Sequence, residues 1–173
     1  MGLKVILIGF MGAGKSTIGP ILANKLDTQF YETDEVVLSR SGRASINEIF
    51  QMDGESQFRK LERLVASEFS NLETGVVSTG GGMGADPDTI SILKGGDGKV
   101  VYLEATFEEI RNRLSGDTTR PLFHDLTEAK QLYTIRSTQY LKSCDLTVHT
   151  DTIPPELLAD RILARLYGPV WHT

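Results

Sequence analysis

The sequence predicts an α/β protein, a five-stranded parallel sheet with helices on both faces. Three observations carry this. Short apolar, β-branched runs recur at Lys4 to Ile8, Gln29 to Glu32, Gly75 to Thr79, Lys99 to Glu104 and Asp145 to His149. A stretch with helical spacing follows each, the alternation that builds parallel sheets. The first run leads directly into a glycine-rich turn and a helix start, a strand–turn–helix unit. No internal repeat, low-complexity tract or linker divides the 173 residues, so a single domain is expected over 1–173.

That first turn, Gly9-Phe10-Met11-Gly12-Ala13-Gly14-Lys15-Ser16-Thr17, fits G-x-x-x-x-G-K-[ST]. Lys4 to Ile8 before it reads as a buried strand, and Ile18, Ile21, Leu22 and Leu26 after it fall at helical spacing. Glycines let consecutive N–H groups turn inward on an anion, and the helix start adds unpaired donors and a positive dipole end. Lys15 would reach the β- and γ-phosphates, and the Ser16 hydroxyl would take a Mg²⁺ coordination site. A nucleoside triphosphate is therefore expected on Gly12, Ala13, Gly14, Lys15, Ser16 and Thr17.

Ligands of parallel sheets bind beyond the carboxyl ends of the strands, so the residues after each run matter most. The second run ends in Glu32-Thr33-Asp34. These acids could sit beside the metal and the phosphate acceptor, or Asp34 could simply cap the next helix. Ser45-Ile46-Asn47-Glu48 is a capping-box pattern, and Gly54 breaks or bends the helix it starts. From Glu55 onward, Phe58, Leu61, Leu64, Val65, Phe69 and Leu72 form an apolar stripe. Glu55, Arg59 and Glu62 share another face, by default a solvated ion-paired one. The third run opens into Gly80-Gly81-Gly82-Met83-Gly84, a loop of bare backbone that suits close ligand approach.

A helix is expected to start near Asp86-Pro87. Thr106-Phe107-Glu108-Glu109 is a second capping box, opening a helix through Arg113. The polar stretch at about 115–125, punctuated by Gly116 and Pro121, reads as a loop of the kind that closes as a lid, with Arg120 either the candidate to reach a transferred phosphoryl group or an ordinary surface arginine. A helix from about Thr127 to Ser143 carries Arg136 and Tyr140, and after Pro154-Pro155 the last one runs to about Tyr167.

Composition narrows the function classes. With 40% apolar residues the chain can build a full core, and Cys144, its lone cysteine, excludes an internal disulfide. There is no signal-like N-terminus and no apolar run long enough to span a bilayer, so a cytoplasmic location is expected. A formal net charge of -5 argues against a broad nucleic-acid footprint. His124, His149 and His172 show no zinc-ligand spacing.

Taken together, these landmarks resemble shikimate kinase, a P-loop NTPase-type small-molecule kinase with a mobile lid. The resemblance covers nearly the whole chain and rests on order. The phosphate loop comes first, then the acids ending at Asp34, Ile49-Phe50, Gly54-Glu55, Phe58-Arg59 with Glu62, Gly80-Gly81-Gly82, Arg120-Pro121-Leu122, and Arg136 with Tyr140. It implies ATP and Mg²⁺, and phosphorylation of the 3-hydroxyl of shikimate. Asp34 would orient or deprotonate that hydroxyl, while Arg59 and Arg136 would hold the carboxylate. Gly80, Gly81 and Gly82 would line the acceptor pocket, and a separate helical segment at about 33–62 would also bind the acceptor. Lys15 and Arg120 would neutralise the transferred charge. Arg113 and the segment around Thr152 and Pro154 would lie near adenine, and Glu32 would help hold Mg²⁺ through water. The family resemblance also implies a monomer. Three positions depart from its pattern: Glu32 for an aspartate, Thr138 for a proline and Lys142 for an acid.

The rivals are a gluconate or nucleotide kinase on the same scaffold, a catalytically dead nucleotide-binding relative, and a GTP-binding switch. Asn24-Lys25-Leu26-Asp27 matches N-K-x-D, but it falls in the helix straight after the phosphate loop, and no D-x-x-G accompanies it.

Overall fold

The computed structural model describes residues 3–115 and 125–168. Its sheet contains β1 (Lys4–Ile8), β2 (Phe30–Glu32), β3 (Gly75–Ser78), β4 (Lys99–Glu104) and β5 (Leu146–His149). All neighbouring strands are parallel, in the order β2-β3-β1-β4-β5. Central β1 registers Leu7 against Ser78 on one side and Val101 on the other. Val5 through Ile8 are wholly buried, because a strand covered by helices on both faces must be apolar throughout rather than alternating. The chain stays on one side of β1 through β3 and crosses to the other side at β4. The carboxyl end of β1 therefore lies where the winding reverses, the crevice that admits ligands.

Along the chain the helices are α1 (Lys15–Lys25), α2 (Thr33–Ser41), α3 (Ile46–Met52), α4 (Gly54–Ser70), α5 (Gly81–Gly84), α6 (Pro87–Lys94), α7 (Phe107–Arg113), α8 (Leu126–Ser143) and α9 (Pro155–Tyr167). Local chemistry sets their starts. Ser45 Oγ accepts from the Glu48 amide at 3.1 Å, while the Glu48 carboxylate reaches back to the Ala44 amide at 2.7 Å. Thr106 Oγ1 accepts from the Glu109 amide at 3.2 Å. The return half of that box is missing: Asp151 takes the Thr106 amide, and Glu109 turns to Arg113. Asp86 caps α6 ahead of Pro87, which stands where no amide is needed.

Two features differ from expectation. Pro20 lies inside α1, where it removes one helical hydrogen bond. The triple glycine forms a one-turn helix, α5, rather than an open loop, with the Gly84 amide donating to the Gly80 carbonyl at 2.9 Å. Gly80, Gly81 and Gly82 all keep negative φ, so the glycines serve here by lacking a Cβ rather than by reaching left-handed backbone.

The core lies on both faces of the sheet, with Ile6, Leu22, Leu93, Leu103 and Tyr140 fully buried. Ile6→Ala is expected to lower stability by about 2–5 kcal/mol, through lost burial plus the cavity left in a tightly packed strand. Urea unfolding measures this, and a loss under about 1 kcal/mol would show that β1 is not the packed centre.

Candidate active site

At the end of β1 the chain must turn and enter α1 while keeping its amides available. Gly12 and Gly14 permit this with φ of 77° and 104°, and Gly14 is the left-handed N-cap of α1. Lys15 arches back over the loop, its Nζ donating to the carbonyls of Gly9 at 2.8 Å and Phe10 at 3.1 Å. The loop forms one wall of a cavity of about 560 Å³, to which Gly12, Ala13, Gly14, Lys15, Ser16 and Thr17 all contribute. Glu32, Asp34, Ser78, Thr79, Gly80 and Gly81 supply the opposite wall, and Arg113, Thr150, Ile153 and Pro155 close one end. Most of them follow the carboxyl ends of strands, while Arg113 comes from the last turn of α7.

Arg113 fastens that end. It donates from Nη1 to the Gly12 carbonyl at 3.2 Å, from Nη2 to the Thr150 carbonyl at 2.9 Å, and from Nε to Glu109 at 2.8 Å. The phosphate loop and the β5–α9 connection are thereby tied through one planar guanidinium. Pro154 is exposed and does not line the cavity; its neighbours Ile153 and Pro155 do. Arg120 and the expected lid at 115–125, apart from its end residues Ser115 and Asp125, lie outside the described residues.

Glu32 occupies the N-cap position of α2 without capping it, and Asp34 sits inside the first turn rather than serving as the cap. The Glu32 Oε1 atom is buried and has no hydrogen-bond partner among the described residues. With the exposed hydroxyl of Ser16 on the facing wall, it offers the oxygen donors that a hard divalent cation takes, so the donor set fits Mg²⁺.

The second half of the site gathers around α5. A Cβ on Gly80 would collide with the Asp34 carboxylate, and one on Gly82 with the Arg59 guanidinium. A Cβ on Gly81 would stand 3.2 Å from Nη1 of Arg136. Three consecutive glycines thus face the three side chains that the sequence singled out, brought in by α2, α4 and α8. Arg59 and Arg136 do not line the phosphate-side cavity; they stand beyond the glycine turn, next to it.

The two arginines differ electrostatically. Arg59 donates to Glu62 at 2.6 Å and to Glu55 at 3.1 Å. Its expected solvated face is a correction: Glu62 is buried, its side chain only 4% exposed. Burial pushes the Glu62 carboxyl above the usual range, the Arg59 contact pulls it back, and nearby Asp34 adds to the rise. Arg136 is half-buried, stacks over the Phe10 ring at 5.9 Å, and makes no ion pair with a carboxylate among the described residues. Burial lowers its pKa, and the like charge of Arg59 lowers it further. A guanidinium retained at such cost favours an incoming anion.

The sequence reading missed Thr33 and the hydroxyl of Tyr140 as parts of this site. Thr33 Oγ1 accepts from the Gly80 amide at 3.1 Å, and Tyr140 donates to the Gly81 carbonyl at 2.8 Å. Flanking position was the available signal, since Thr33 lies between two acids and Tyr140 one turn beyond Arg136.

A parallel sheet with a phosphate loop after its first strand, and an acid and two arginines grouped beside that loop, defines a P-loop kinase. Comparison with known proteins narrows the class. The family model for shikimate kinase matches residues 11–167. Shikimate kinase from Caldicellulosiruptor bescii is 39% identical over 164 residues, covering 93% of this chain and 94% of its own. The Aquifex aeolicus enzyme is 40% identical over 167 residues, covering 96% and 97%. Among solved structures, Acinetobacter baumannii shikimate kinase in complex with shikimate superposes with a TM-score of 0.87 at 32% identity, covering 96% of this chain and 93% of its own. A sugar kinase from Janibacter, with a TM-score of 0.62 at 18% identity, covers 100% and 99% and shares the fold alone. The chain belongs to the shikimate kinase family.

Replacing Arg59 should move Glu62 further upward, since the variant loses the contact that opposes burial. An acid whose folded pKa exceeds its unfolded value favours the folded state below the unfolded pKa and loses that contribution as pH rises through the folded one. Arg59→Ala should therefore lose stability more steeply than the parent as pH rises out of the ordinary glutamate range. Carboxyl NMR titration of Glu62, with denaturation at several pH values, measures both; an unmoved Glu62 would deny the coupling.

Proposed function

We propose that this chain transfers the γ-phosphoryl group of ATP to the 3-hydroxyl of shikimate, giving shikimate 3-phosphate and ADP. The observation that carries the acceptor half is Arg136, a half-buried cation without a carboxylate partner among the described residues, beside Arg59 at the glycine turn. A small acid bearing hydroxyl groups would place its carboxylate between these guanidinium forks, which suit a planar anion. Its ring would rest on the bare backbone of Gly80, Gly81 and Gly82, and one hydroxyl would then face Asp34 at the boundary with the phosphate cavity.

The nucleotide would place its phosphates against the amides from Gly12 to Thr17. Lys15 would exchange its loop carbonyls for the β- and γ-phosphate oxygens, and Arg113 with Ile153 and Pro155 would border the base. Ser16 and Glu32 would hold Mg²⁺, which supplies charge neutralisation on the phosphates when bound. In the transfer, the shikimate oxygen forms a bond to the γ-phosphorus as the bond to the bridging β,γ-oxygen breaks. Asp34 orients the hydroxyl and accepts its proton, and ADP leaves with the electron pair. Arg120 is assigned to the departing phosphoryl charge. Phosphoryl transfer asks for this kind of positioning and charge compensation more than for covalent chemistry. A monomer in the cytoplasm completes the reading; no helix among the described residues is long and apolar enough to cross a membrane.

Purified protein with ATP and Mg²⁺ should release ADP in the presence of shikimate; turnover of gluconate or a nucleoside monophosphate in its place would overturn the assignment. Asp34→Asn should lower kcat by about 10²–10⁴-fold. Arg136→Ala should raise the shikimate KM by at least about 30-fold while leaving the ATP KM near its parent value. An unchanged shikimate KM in that variant would remove Arg136 from the acceptor site.

A further inference from the structure

Resting on that reading, we infer that Thr33 and Tyr140 are separate positioning residues for the two ends of the acceptor, one for its reacting hydroxyl and the other for its carboxylate. Both grip the glycine turn at consecutive residues but from opposite sides. Thr33 is the fully buried first residue of α2, and its hydroxyl accepts from the Gly80 amide at 3.1 Å. Tyr140 is fully buried on α8, and its hydroxyl donates to the Gly81 carbonyl at 2.8 Å.

The rest of the turn is held by backbone, by Thr79 and by Met83, whose side chain is fully buried in the core. The Thr79 amide and hydroxyl both donate to the Leu7 carbonyl at 3.1 Å, anchoring the strand end to β1. The Gly84 amide returns to the Gly80 carbonyl. Between these anchors, the Gly80 amide and the Gly81 carbonyl depend on one side chain each. Gly80, Gly81 and Gly82 have no Cβ to pack, so these two hydrogen bonds set the position of that part of the turn against its neighbours.

The neighbours differ on the two sides. Gly80 abuts the Asp34 carboxylate, and Asp34 follows Thr33 directly in the first turn of α2. Holding Gly80 to Thr33 thus fixes the approach of the turn to the group assigned to the hydroxyl. Gly81 abuts Arg136, which shares the face of α8 with Tyr140 four residues on. Holding Gly81 to Tyr140 fixes the turn against the group assigned to the carboxylate. Neither pin need touch the acceptor itself.

The two losses should therefore separate kinetically. Thr33→Val keeps the shape but leaves the Gly80 amide without its acceptor, and is expected to lower kcat about tenfold or more with the shikimate KM within about twofold. Tyr140→Phe removes one oxygen and is expected to raise the shikimate KM about five- to tenfold with kcat within about twofold. Thr33→Ser retains the accepting oxygen and should recover most of kcat, and the ATP KM should stay near the parent value in all three. Equal losses of kcat and KM in Thr33→Val and Tyr140→Phe, or a Thr33→Ser defect as large as that of Thr33→Val, would overturn the inference and leave both as plain core residues. Wild-type turnover of shikimate, measured alongside, tests the underlying reading independently. If Thr33→Val does not fold, Thr33→Ser and Tyr140→Phe still decide the matter, because a Thr33→Ser defect in kcat or a Tyr140→Phe defect confined to kcat contradicts it.

Discussion

Bare backbone at Gly80, Gly81 and Gly82 is the constraint on which the acceptor side of this molecule depends. Three charged side chains from three helices meet there, and two of the missing Cβ positions coincide with space that Asp34 and Arg59 already fill. A side chain at Gly80 or Gly82 would displace the Asp34 carboxylate or the Arg59 guanidinium, and one at Gly81 would crowd Arg136. The turn's helical, negative-φ backbone shows that closeness, not unusual dihedral angles, demands glycine here. The phosphate loop uses glycine for the other reason, since Gly12 and Gly14 take left-handed backbone to keep amides pointing inward.

The same arrangement distributes charge unequally. Arg59 is pre-paired with Glu55 and with buried Glu62, so its guanidinium is oriented before any ligand arrives. Arg136 is oriented by its position over the Phe10 ring instead, and burial makes its charge costly. One arginine is therefore held in place and the other is left with charge to satisfy. For a monocarboxylate acceptor this division is economical, because a second pre-paired arginine would have to give up a partner on binding, and a second unpaired one would add repulsion to an empty site. On the nucleotide side, Lys15 and Arg113 occupy backbone carbonyls. In the proposed function, these are the contacts that phosphate oxygens and the base would replace.

Much of this was legible in the sequence because it is local. The strand β1 and its loop were readable from an apolar run followed by spaced glycines, and β4 came out with the boundaries expected, Lys99–Glu104. Caps at Ser45, Asp86 and Thr106 were legible because each is decided within four residues. What escaped was set by tertiary contact. Gly80 to Gly84 looked like an open loop because glycine lowers helix propensity, yet contacts from Thr33 and Tyr140 and the burial of Met83 hold a helical turn. Glu62 looked solvated because an acid three residues from an arginine on a helix usually is; only the packing of α4 shows that it is buried. Arg59 and Arg136 lie far apart in the chain, and periodicity alone gave no reason to bring them together. The resemblance to a family supplied the expectation, and the fold places both at one turn.

The account's central claim is that the two guanidinium groups beside the glycine turn recognise the acceptor's carboxylate. The most direct measurement compares kcat/KM for shikimate with that for the same hydroxylated ring lacking its carboxylate, in the parent protein and in an Arg59→Ala/Arg136→Ala double variant. The account predicts that the parent favours shikimate by at least about 10³-fold, and that the double variant discriminates by about tenfold or less. Discrimination that survives intact in the double variant would contradict the claim and place the carboxylate elsewhere.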